Sequence, residues 1–247
     1  MTESSHSAFA PLVTALRDRA MAGCPVTFWL RDDDAVEPCD SLNRLLALTE
    51  QFSVPLTLAV IPAYTGEALA RRLHACEHVS VAVHGWSHTN YAGADEKKQE
   101  LGNHRPQSDV LTELQRGFTR LAELHPSQFV PLLVPPWNRI SAVIVDHLGE
   151  LGFTGLSTFG EEKPTAVMSI NTQVDIIDWK GTRGGRSLAA LISEITACVQ
   201  TGRSTIGILT HQLVHDEPAW YFLEKLFDVI AEHSDARWLS VSELLEC

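Results

Sequence analysis

Residues 79–88 read VSVAVHGWSH, a short apolar run that is followed at once by two histidines four positions apart. The only polar residue of the run is Ser80, and apolar residues stand at both odd and even positions. Strands of this kind are typical of parallel sheets that are covered on both faces. The stretch therefore predicts a buried parallel strand over residues 79–83, with polar side chains at its carboxyl end.

The histidine pair, His84 and His88, has the spacing of two metal ligands. Neutral imidazole is the commonest metal ligand in proteins, and residues i and i+4 on a helical turn can face one ion. A local capping or hydrogen-bonding role for one histidine is the alternative. The pair is not that of an HExxH metalloprotease, because Gly85 stands where that motif has its glutamate. A general base must therefore come from another part of the chain.

Apolar runs and helical periodicity alternate along the rest of the chain. A helix over residues 8–22 is predicted before the first strand. The predicted strands cover residues 25–30, 54–61, 79–83, 129–134, 153–159, 174–177, 205–210 and 238–241, and the main helices between them cover 42–52, 67–75, 110–124, 141–151, 188–200 and 221–232. Alternating units of this kind predict an α/β fold. Seven or eight strands without GxGxxG after the first favour a distorted (β/α)7–8 barrel, similar to a TIM barrel, over an open doubly wound sheet.

The length and the charge of the chain limit its functions. A chain of 247 residues can form one barrel domain over residues 1–247, in which residues 1–22 provide the helix before the first strand. Lys and Arg number 19 against 31 Asp and Glu, a net charge of −12. This balance argues against nucleic acid and anionic membranes as partners, because both bind positive surfaces. A small-molecule or carbohydrate substrate is expected instead.

The sequence has no recognisable secretion signal or membrane span, so a cytoplasmic location is expected. The five cysteines are widely spaced and form no CxxC pair. Neither a disulfide framework nor a thiolate zinc site is therefore expected.

Polar residues gather where the predicted strands end, at the face that carries active sites in such barrels. They are Asp32, Asp33 and Asp34 in a loop after the first strand, His84 and His88 after the third, Trp137, Asn138 and Arg139 after the fourth, Asp178 and Trp179 after the sixth, and His211 after the seventh. Three adjacent carboxylates repel one another, so a bound cation or proton would relieve the repulsion. A helix N-cap with acidic neighbours is the other interpretation.

One aspartate together with His84 and His88 would make a site of two imidazoles and one carboxylate with open positions. Zinc is the most expected ion, and cobalt, iron, nickel or manganese also accepts this ligand set. Water at such an ion can attack a carbonyl group, a neighbouring aspartate can take its proton, and His211 can protonate the leaving group. Residues 90–109 predict a long loop, either a lid or a plain solvated connection.

The ordered set of motifs resembles the polysaccharide deacetylase family, carbohydrate esterase family 4, which is characterised by the NodB-homology domain. Residues 31–35, RDDDA, are similar to its first motif, TFDDG, and residues 84–88, HGWSH, to its second, H(S/T)xxH. Residues 134–137, VPPW, are similar to the third motif, RxPY, Asp178-Trp179 to the fourth, and residues 209–211, LTH, to the fifth, LxH. The matches run from Asp32 to His211 in the right order.

The resemblance implies hydrolytic removal of an acetyl or related acyl group from an amino sugar or a small amide or ester. It implies that Asp33 is the general base and His211 the general acid. The implied metal ligands are Asp34, His84 and His88. The substrate-binding candidates are Trp137, Asn138, Arg139, Asp178 and Trp179.

Departures from the family's motifs leave alternatives open. The three consecutive aspartates allow another register, with Asp32 as base and Asp33 as ligand. Gly85 stands where the second motif has Ser or Thr, and Val134 where the third has the arginine that orients the base. Arg139 or Arg31 could fill that role. Two other functions also stay open: a metal-independent amidohydrolase relative acting on a small heterocycle, and a catalytically silent sugar-binding barrel.

Overall fold

The computed structural model describes residues 3–246, and it describes side chains from Ser7 onward. The helices are α1 (Glu3–Met21), α2 (Asp40–Gln51), α3 (Glu67–Leu73), α4 (Gln107–Leu124), α5 (Ala142–Val145), α6 (Leu188–Gln200), α7 (Glu217–Ala231) and α8 (Val241–Leu245). The strands are β1 (Val26–Ala35), β2 (Leu56–Val60), β3 (Val79–Val83), β4 (Phe129–Leu133), β5 (Gly155–Leu156), β6 (Met168–Ser169), β7 (Val174–Asp175), β8 (Thr205–Thr210) and β9 (Ala236–Trp238). Within residues 3–246, none of the helices combines the length and the apolar character that a membrane crossing requires.

The chain divides into two compact units. The first comprises Met1–Arg31, Asp40–Leu56 and Thr172–Ser240, and the second comprises Asp32–Cys39, Thr57–Asn171 and Val241–Cys247. Residues 1, 2 and 247 of the predicted domain lie outside the described residues. That residues 1–247 form a single domain stays a prediction.

In the first unit, helices pack on a group of strands that includes the beginning of β1, β7, β8 and β9. β9 pairs in parallel with β1, and β7 pairs in parallel with β8. The ring of Trp238 in β9 packs against Phe28 and Phe227, with centroid distances of 5.5 and 5.3 Å. α6 and α7 begin at N-caps, Ser187 and Asp216, whose side-chain oxygens accept backbone N–H groups of the first turn. The apolar faces of the helices thus cover the strands while the caps satisfy the helix ends.

The second unit is a sheet in the order β6-β5-β4-β3-β2, with the end of β1 beside β2. β3, β4, β5 and β6 pair in parallel. Backbone hydrogen bonds continue past the strand ends: Ile61 N donates to Ala35 O, His84 N to Val60 O, and Val134 N to Val83 O. The residues that follow β1, β3 and β4 therefore lie close together at the carboxyl edge of this sheet.

The predicted α/β class with a parallel sheet is confirmed. The elements predicted at residues 79–83, 188–200 and 205–210 have the predicted bounds. The acidic loop predicted after the first strand is wrong, because β1 continues through Asp34 to Ala35. Its pairing with neighbouring strands overrides the low strand propensity of aspartate.

Other predicted boundaries also change. The helix predicted over 141–151 ends at Val145 and continues as turns, where Gly149 and Gly152 disfavour a helix. The strand predicted at 238–241 is β9, which ends at Trp238. β6 was not predicted, because two residues are too few for a periodic pattern.

Candidate metal centre

Asp34, His84 and His88 come together at the carboxyl edge of the second unit. Asp34 Oδ1 lies 3.1 Å from His84 Nε2 and 3.3 Å from His88 Nε2. The candidate ligand atoms of the three residues all lie within 4.8 Å of one another, and they form the only such group of three or more among the side chains of residues 7–246. His84 is buried, and the side chains of Asp34 and His88 are partly exposed. The cluster is therefore anchored in the core and open on one side.

The orientation of His84 is fixed by the strand next to it. Its Nδ1 lies 2.9 Å from the carbonyl oxygen of Val134, which can only accept a hydrogen bond. Nδ1 must therefore carry the proton, and in the neutral ring the lone pair of Nε2 faces the carboxylate of Asp34. Two acceptors facing each other at 3.1 Å require a cation or a proton between them. Metal-bound histidines are commonly oriented by this kind of bond from the other ring nitrogen to a carbonyl group.

The two imidazoles differ in their electrostatic surroundings. Burial opposes the charge on His84, but its hydrogen bond to Asp34 and the charges of Asp33 and Asp34 raise the pKa of His84 above its ordinary value. Burial, followed by the charge of His84, lowers the pKa of His88. His88 is therefore neutral at pH 7, the state in which imidazole binds metals.

The turn between the two histidines is not helical, so the predicted helical arrangement is wrong. Gly85 has φ +59° and His88 has φ +53°, both in the left-handed region. A Cβ atom at position 85 would lie 2.1 Å from a carboxylate oxygen of Glu100 and 2.7 Å from Pro136 Cδ. Glycine is required here on both counts, which explains the departure from Ser or Thr in the second motif.

The aspartates of β1 have different positions although they are consecutive. Asp32 and Asp33 are buried, and alternation along the strand directs their side chains to opposite faces. Asp34 has φ +74°, and it is the member whose carboxylate meets the two histidines. The charge of Asp33 raises the pKa of His84, so Asp33 lies near the cluster without belonging to it. This arrangement favours the register with Asp34 as ligand over the one that uses Asp32 and Asp33.

The segment after β4 borders the cluster. The ring of Trp137 packs on His88 at a centroid distance of 4.2 Å, and Trp137 and Asn138 have φ values of +54° and +56°. Strained backbone of this kind is concentrated at functional sites. Asn138 and Arg139 then line a cavity of ≈ 600 Å³, whose other walls include Phe159 and Lys163. The three predicted substrate-binding residues of this segment are thus placed beside the cluster or in the adjacent cavity.

The structure shows where Val134 and the two candidate replacements for the motif arginine, Arg139 and Arg31, lie. Val134 is buried, and its carbonyl oxygen orients His84. Arg139 Nη1 donates to the carbonyl oxygen of Lys98 at 2.9 Å. Arg31 is fully buried in β1 and is two residues from Asp33, so the two side chains leave the strand on the same face.

The remaining predicted site residues lie in the first unit. His211 follows β8, and its ring meets the ring of Trp179 edge-on at 4.7 Å. Trp179 Nε1 donates to Asp175 Oδ2 at 2.8 Å. Asp178 instead accepts from the backbone N–H groups of Gly181 and Thr182 and shapes its own loop. Asp175 was not singled out from the sequence, because it lies inside a predicted strand.

His215, four residues after His211, is held as a neutral ring. Both of its ring nitrogens are buried without a hydrogen-bond partner among the described residues, and its ring lies 4.4 Å from that of Trp220. Burial, with a smaller effect of His211, lowers the pKa of His215 to about 3. Protonation of this ring is therefore strongly disfavoured in the folded protein.

Acid is expected to destabilise the protein through His215. Its folded-state pKa lies below the ordinary value of 6.5, so the stability from the neutral ring is complete above pH 6.5 and is lost as the pH falls toward 3. Between pH 7.5 and pH 5.0 the free energy of unfolding should fall about 2 kcal/mol further in the unmodified protein than in His215→Leu. Urea unfolding at the two pH values measures this, and equal falls in both proteins would contradict it.

The residues of the cluster fit a first-row divalent ion. Two imidazole nitrogens and one carboxylate oxygen are the ligand set of many zinc and iron sites with open positions. The lone pair of His84 Nε2, aimed at a carboxylate oxygen, marks the place that a cation would fill. Asp34, His84 and His88 are the residues that would hold the ion, and the partial exposure of Asp34 and His88 leaves one side accessible.

No protein-family model matches the sequence, and no curated protein matches it. Solved structures do match over most of its length. A protein from Mycobacterium smegmatis that is classed with the polysaccharide deacetylases shares 18% sequence identity at a TM-score of 0.68, over 91% of this chain and 90% of that one. A family 4 carbohydrate esterase from Streptomyces lividans, solved with acetate, shares 17% identity at 0.58, over 86% and 91%. A family 4 acetyl xylan esterase from Clostridium thermocellum, solved with a cobalt ion, shares 17% at 0.56, over 89% and 90%.

These likenesses confirm the fold that the motifs implied. The chain has the α/β fold of the family 4 carbohydrate esterases, the distorted (β/α)7–8 barrel expected from the sequence. The low identities are consistent with the departures at Gly85 and Val134 from the motifs of that family.

Proposed function

We propose that the protein is a divergent member of the polysaccharide deacetylase family, a metal-dependent hydrolase. Its substrate would be an acetylated amino sugar or a small related amide or ester, from which it removes an acetyl or similar acyl group. The observation that carries the proposal is the cluster of Asp34, His84 and His88, whose ligand atoms converge within 4.8 Å at the carboxyl edge of a parallel sheet. The deacetylase-like fold and the order of the motifs support it.

The proposed roles follow from the chemistry of each side chain. Asp34, His84 and His88 hold the ion, for which zinc is the first candidate and cobalt, iron, nickel and manganese are the others. When bound, the ion supplies Lewis-acid polarisation of the acyl carbonyl group. Asp33, buried beside the cluster, orients a water molecule and takes its proton. His211 donates a proton to the departing amine or alkoxide, as the fifth motif of the family implies.

The proposed substrate-binding surface uses the aromatic and polar residues after the strands. Trp137 offers a ring face beside His88, and Asn138 and Arg139 offer hydrogen-bond donors at the cavity that follows. Trp179 and Asp178 are the corresponding candidates in the first unit. Aromatic faces next to a few polar groups suit a sugar, because its C–H and O–H groups require both kinds of contact.

Hydrolysis is expected to require a bound divalent ion. Protein treated with a chelator and then dialysed should release no acetate from N-acetylated sugars or aryl acetates, and one equivalent of zinc or cobalt should restore release. Acetate release and elemental analysis measure the two quantities on the same sample. The control is the untreated protein carried through the same dialysis.

The same assay separates the alternatives. Full hydrolysis in the chelated protein, with less than about 0.1 equivalent of metal bound, would favour a metal-independent amidohydrolase. Binding of sugars without acetate release from any of them, even in zinc-loaded protein, would favour a silent sugar-binding protein. Either result would overturn the proposed function.

A further inference from the structure

We infer that Glu100 is a positioning residue of the metal centre, because its carboxylate fixes the turn that carries His84 and His88. The inference rests on the proposed function, since it requires an ion at Asp34, His84 and His88. Glu100 lies outside the five motifs, in the polar stretch that the sequence predicts to be a lid or a solvated connection.

Glu100 is the centre of the hydrogen bonding within this turn. One of its carboxylate oxygens accepts from Ser87 N at 2.8 Å and from Ser87 Oγ at 3.1 Å. The other accepts from Trp86 N at 3.3 Å. The two backbone N–H groups belong to consecutive residues between the two histidine ligands. A single carboxylate thus binds the middle of the turn.

These bonds determine where His88 lies. The chain reverses between His84 and His88 through left-handed conformations at Gly85 and at His88 itself. Backbone N–H groups in such a turn have no helix or sheet partner, so an external acceptor is needed to hold them. With the turn held in this form, His88 Nε2 comes within 3.3 Å of Asp34 Oδ1, beside His84 Nε2 at 3.1 Å. Loss of the acceptor would release the second histidine ligand.

Gly85 and Glu100 are matched to each other. A side chain at position 85 would place its Cβ 2.1 Å from the Glu100 carboxylate, so the Ser or Thr of the family motif cannot coexist with Glu100 in this position. The family motif has a polar Ser or Thr side chain within the turn. In this chain Gly85 stands there, and the turn is supported instead by Glu100, fifteen positions later. The replacement of the motif Ser or Thr by Gly85 therefore makes room for the buried carboxylate of Glu100.

The segment that carries Glu100 is anchored on both sides. Tyr91 N donates to Gln99 O at 3.1 Å, and Leu101 forms a parallel bridge with Ile140, with Ser141 N donating to Leu101 O at 2.8 Å. Leu101 is buried. Glu100 thus links the second-motif turn to the residues that follow Trp137. A residue that positions a metal ligand must itself be held in place, because its movement would change the orientation of that ligand.

The charge of Glu100 helps to raise the pKa of Arg105, but the hydrogen bonds of its carboxylate go to the turn. It is 1% exposed. Among the side chains described from Ser7 onward, no Lys, Arg or His nitrogen forms an ion pair with its carboxylate. A buried carboxylate is costly unless it is hydrogen-bonded, and the three donors of the turn satisfy it.

The test measures zinc affinity by competition with a chromophoric chelator, using zinc chloride and metal-free protein. Glu100→Gln keeps the shape of the side chain but presents an amide N–H₂ to donors, and we expect it to weaken zinc binding about 10- to 100-fold, the usual effect of losing an orienting partner. The matched control is Glu96→Gln, which removes the same charge from the same loop where the carboxylate contacts Gly93 N and His104. Its zinc affinity should stay within about twofold of the unmodified value, because it does not contact the turn.

Two further measurements exclude a general loss of folding. The metal-free Glu100→Gln protein should keep its far-UV circular dichroism, and excess zinc should restore most of kcat with little change in KM. Zinc affinity of Glu100→Gln within twofold of the unmodified protein would overturn the inference. Failure of the unmodified protein to bind zinc would instead overturn the proposed function, so the two failures are distinguishable.

A second variant keeps the inference testable if Glu100→Gln does not fold. Ser87→Ala removes the hydroxyl that lies 3.1 Å from the Glu100 carboxylate and 2.9 Å from Thr89 Oγ1, and it leaves both backbone donors to Glu100 in place. Zinc binding should weaken by about threefold, less than for Glu100→Gln, because one of the three bonds is lost. Unchanged affinity in this variant would count against Glu100 as a positioning residue.

Discussion

Replacing Asp34 or His84 with alanine is expected to remove zinc from the protein and hydrolysis with it. Each substitution deletes one of three convergent ligand atoms, and two ligands do not hold a divalent ion against water at neutral pH. The metal content after zinc loading and dialysis should fall from about one equivalent to below about 0.1. Acetate release should fall to the background rate.

The chain offers a matched control for this prediction. His104 and Glu96 form another histidine–carboxylate pair, with the same Nε2–Oδ/Oε separation of 3.3 Å as His88 and Asp34 and a similarly exposed histidine. This pair lacks a second imidazole, so Glu96→Ala and His104→Ala should keep a full equivalent of zinc. If all four variants retained zinc equally, the Asp34 cluster would not be the metal centre.

The features of the site that the sequence predicts are those set by local spacing. An apolar strand followed by His84 and His88 predicts a polar edge, and strand alternation along the chain predicts that other motifs reach the same edge. The register within Asp32–Asp34 is not predictable in this way, because three identical residues carry no pattern. It is decided by the left-handed backbone of Asp34, which turns that carboxylate toward the histidines.

The role of Glu100 is also not predictable from the sequence, but the reason is different. It lies among Glu96, Lys97 and Lys98, and such a polar run is typical of a solvated loop. Its burial depends on the bridge between Leu101 and Ile140, which pairs residues 39 positions apart. Long-range contacts of this kind leave no periodic signal. Gly85 was the one available sign, since a glycine in place of a motif Ser or Thr indicates a turn or a close approach.

Asp33→Asn is expected to abolish hydrolysis while leaving zinc bound, whereas Asp34→Ala is expected to lose both. Asp33 is buried beside the cluster but is not one of the three convergent ligands. Asparagine keeps its volume and cannot take a proton, so the variant should lose about 10²- to 10⁴-fold in kcat, the usual contribution of a general base. Zinc content by elemental analysis and kcat for acetate release are measured on the same preparation.

Loss of zinc in Asp33→Asn would reverse these roles and make Asp33 a ligand, as in the register with Asp32 as base. The orientation of Asp33 is tested by comparing the two arginines. Arg31 leaves β1 on the same face as Asp33, whereas Arg139 donates to the carbonyl oxygen of Lys98. Arg31→Lys should therefore lower kcat while zinc stays bound, because lysine does not reproduce the planar guanidinium that would orient a carboxylate on that face. Arg139→Ala should keep kcat and change KM, and a loss of kcat in Arg139→Ala alone would assign the orienting role to Arg139 instead.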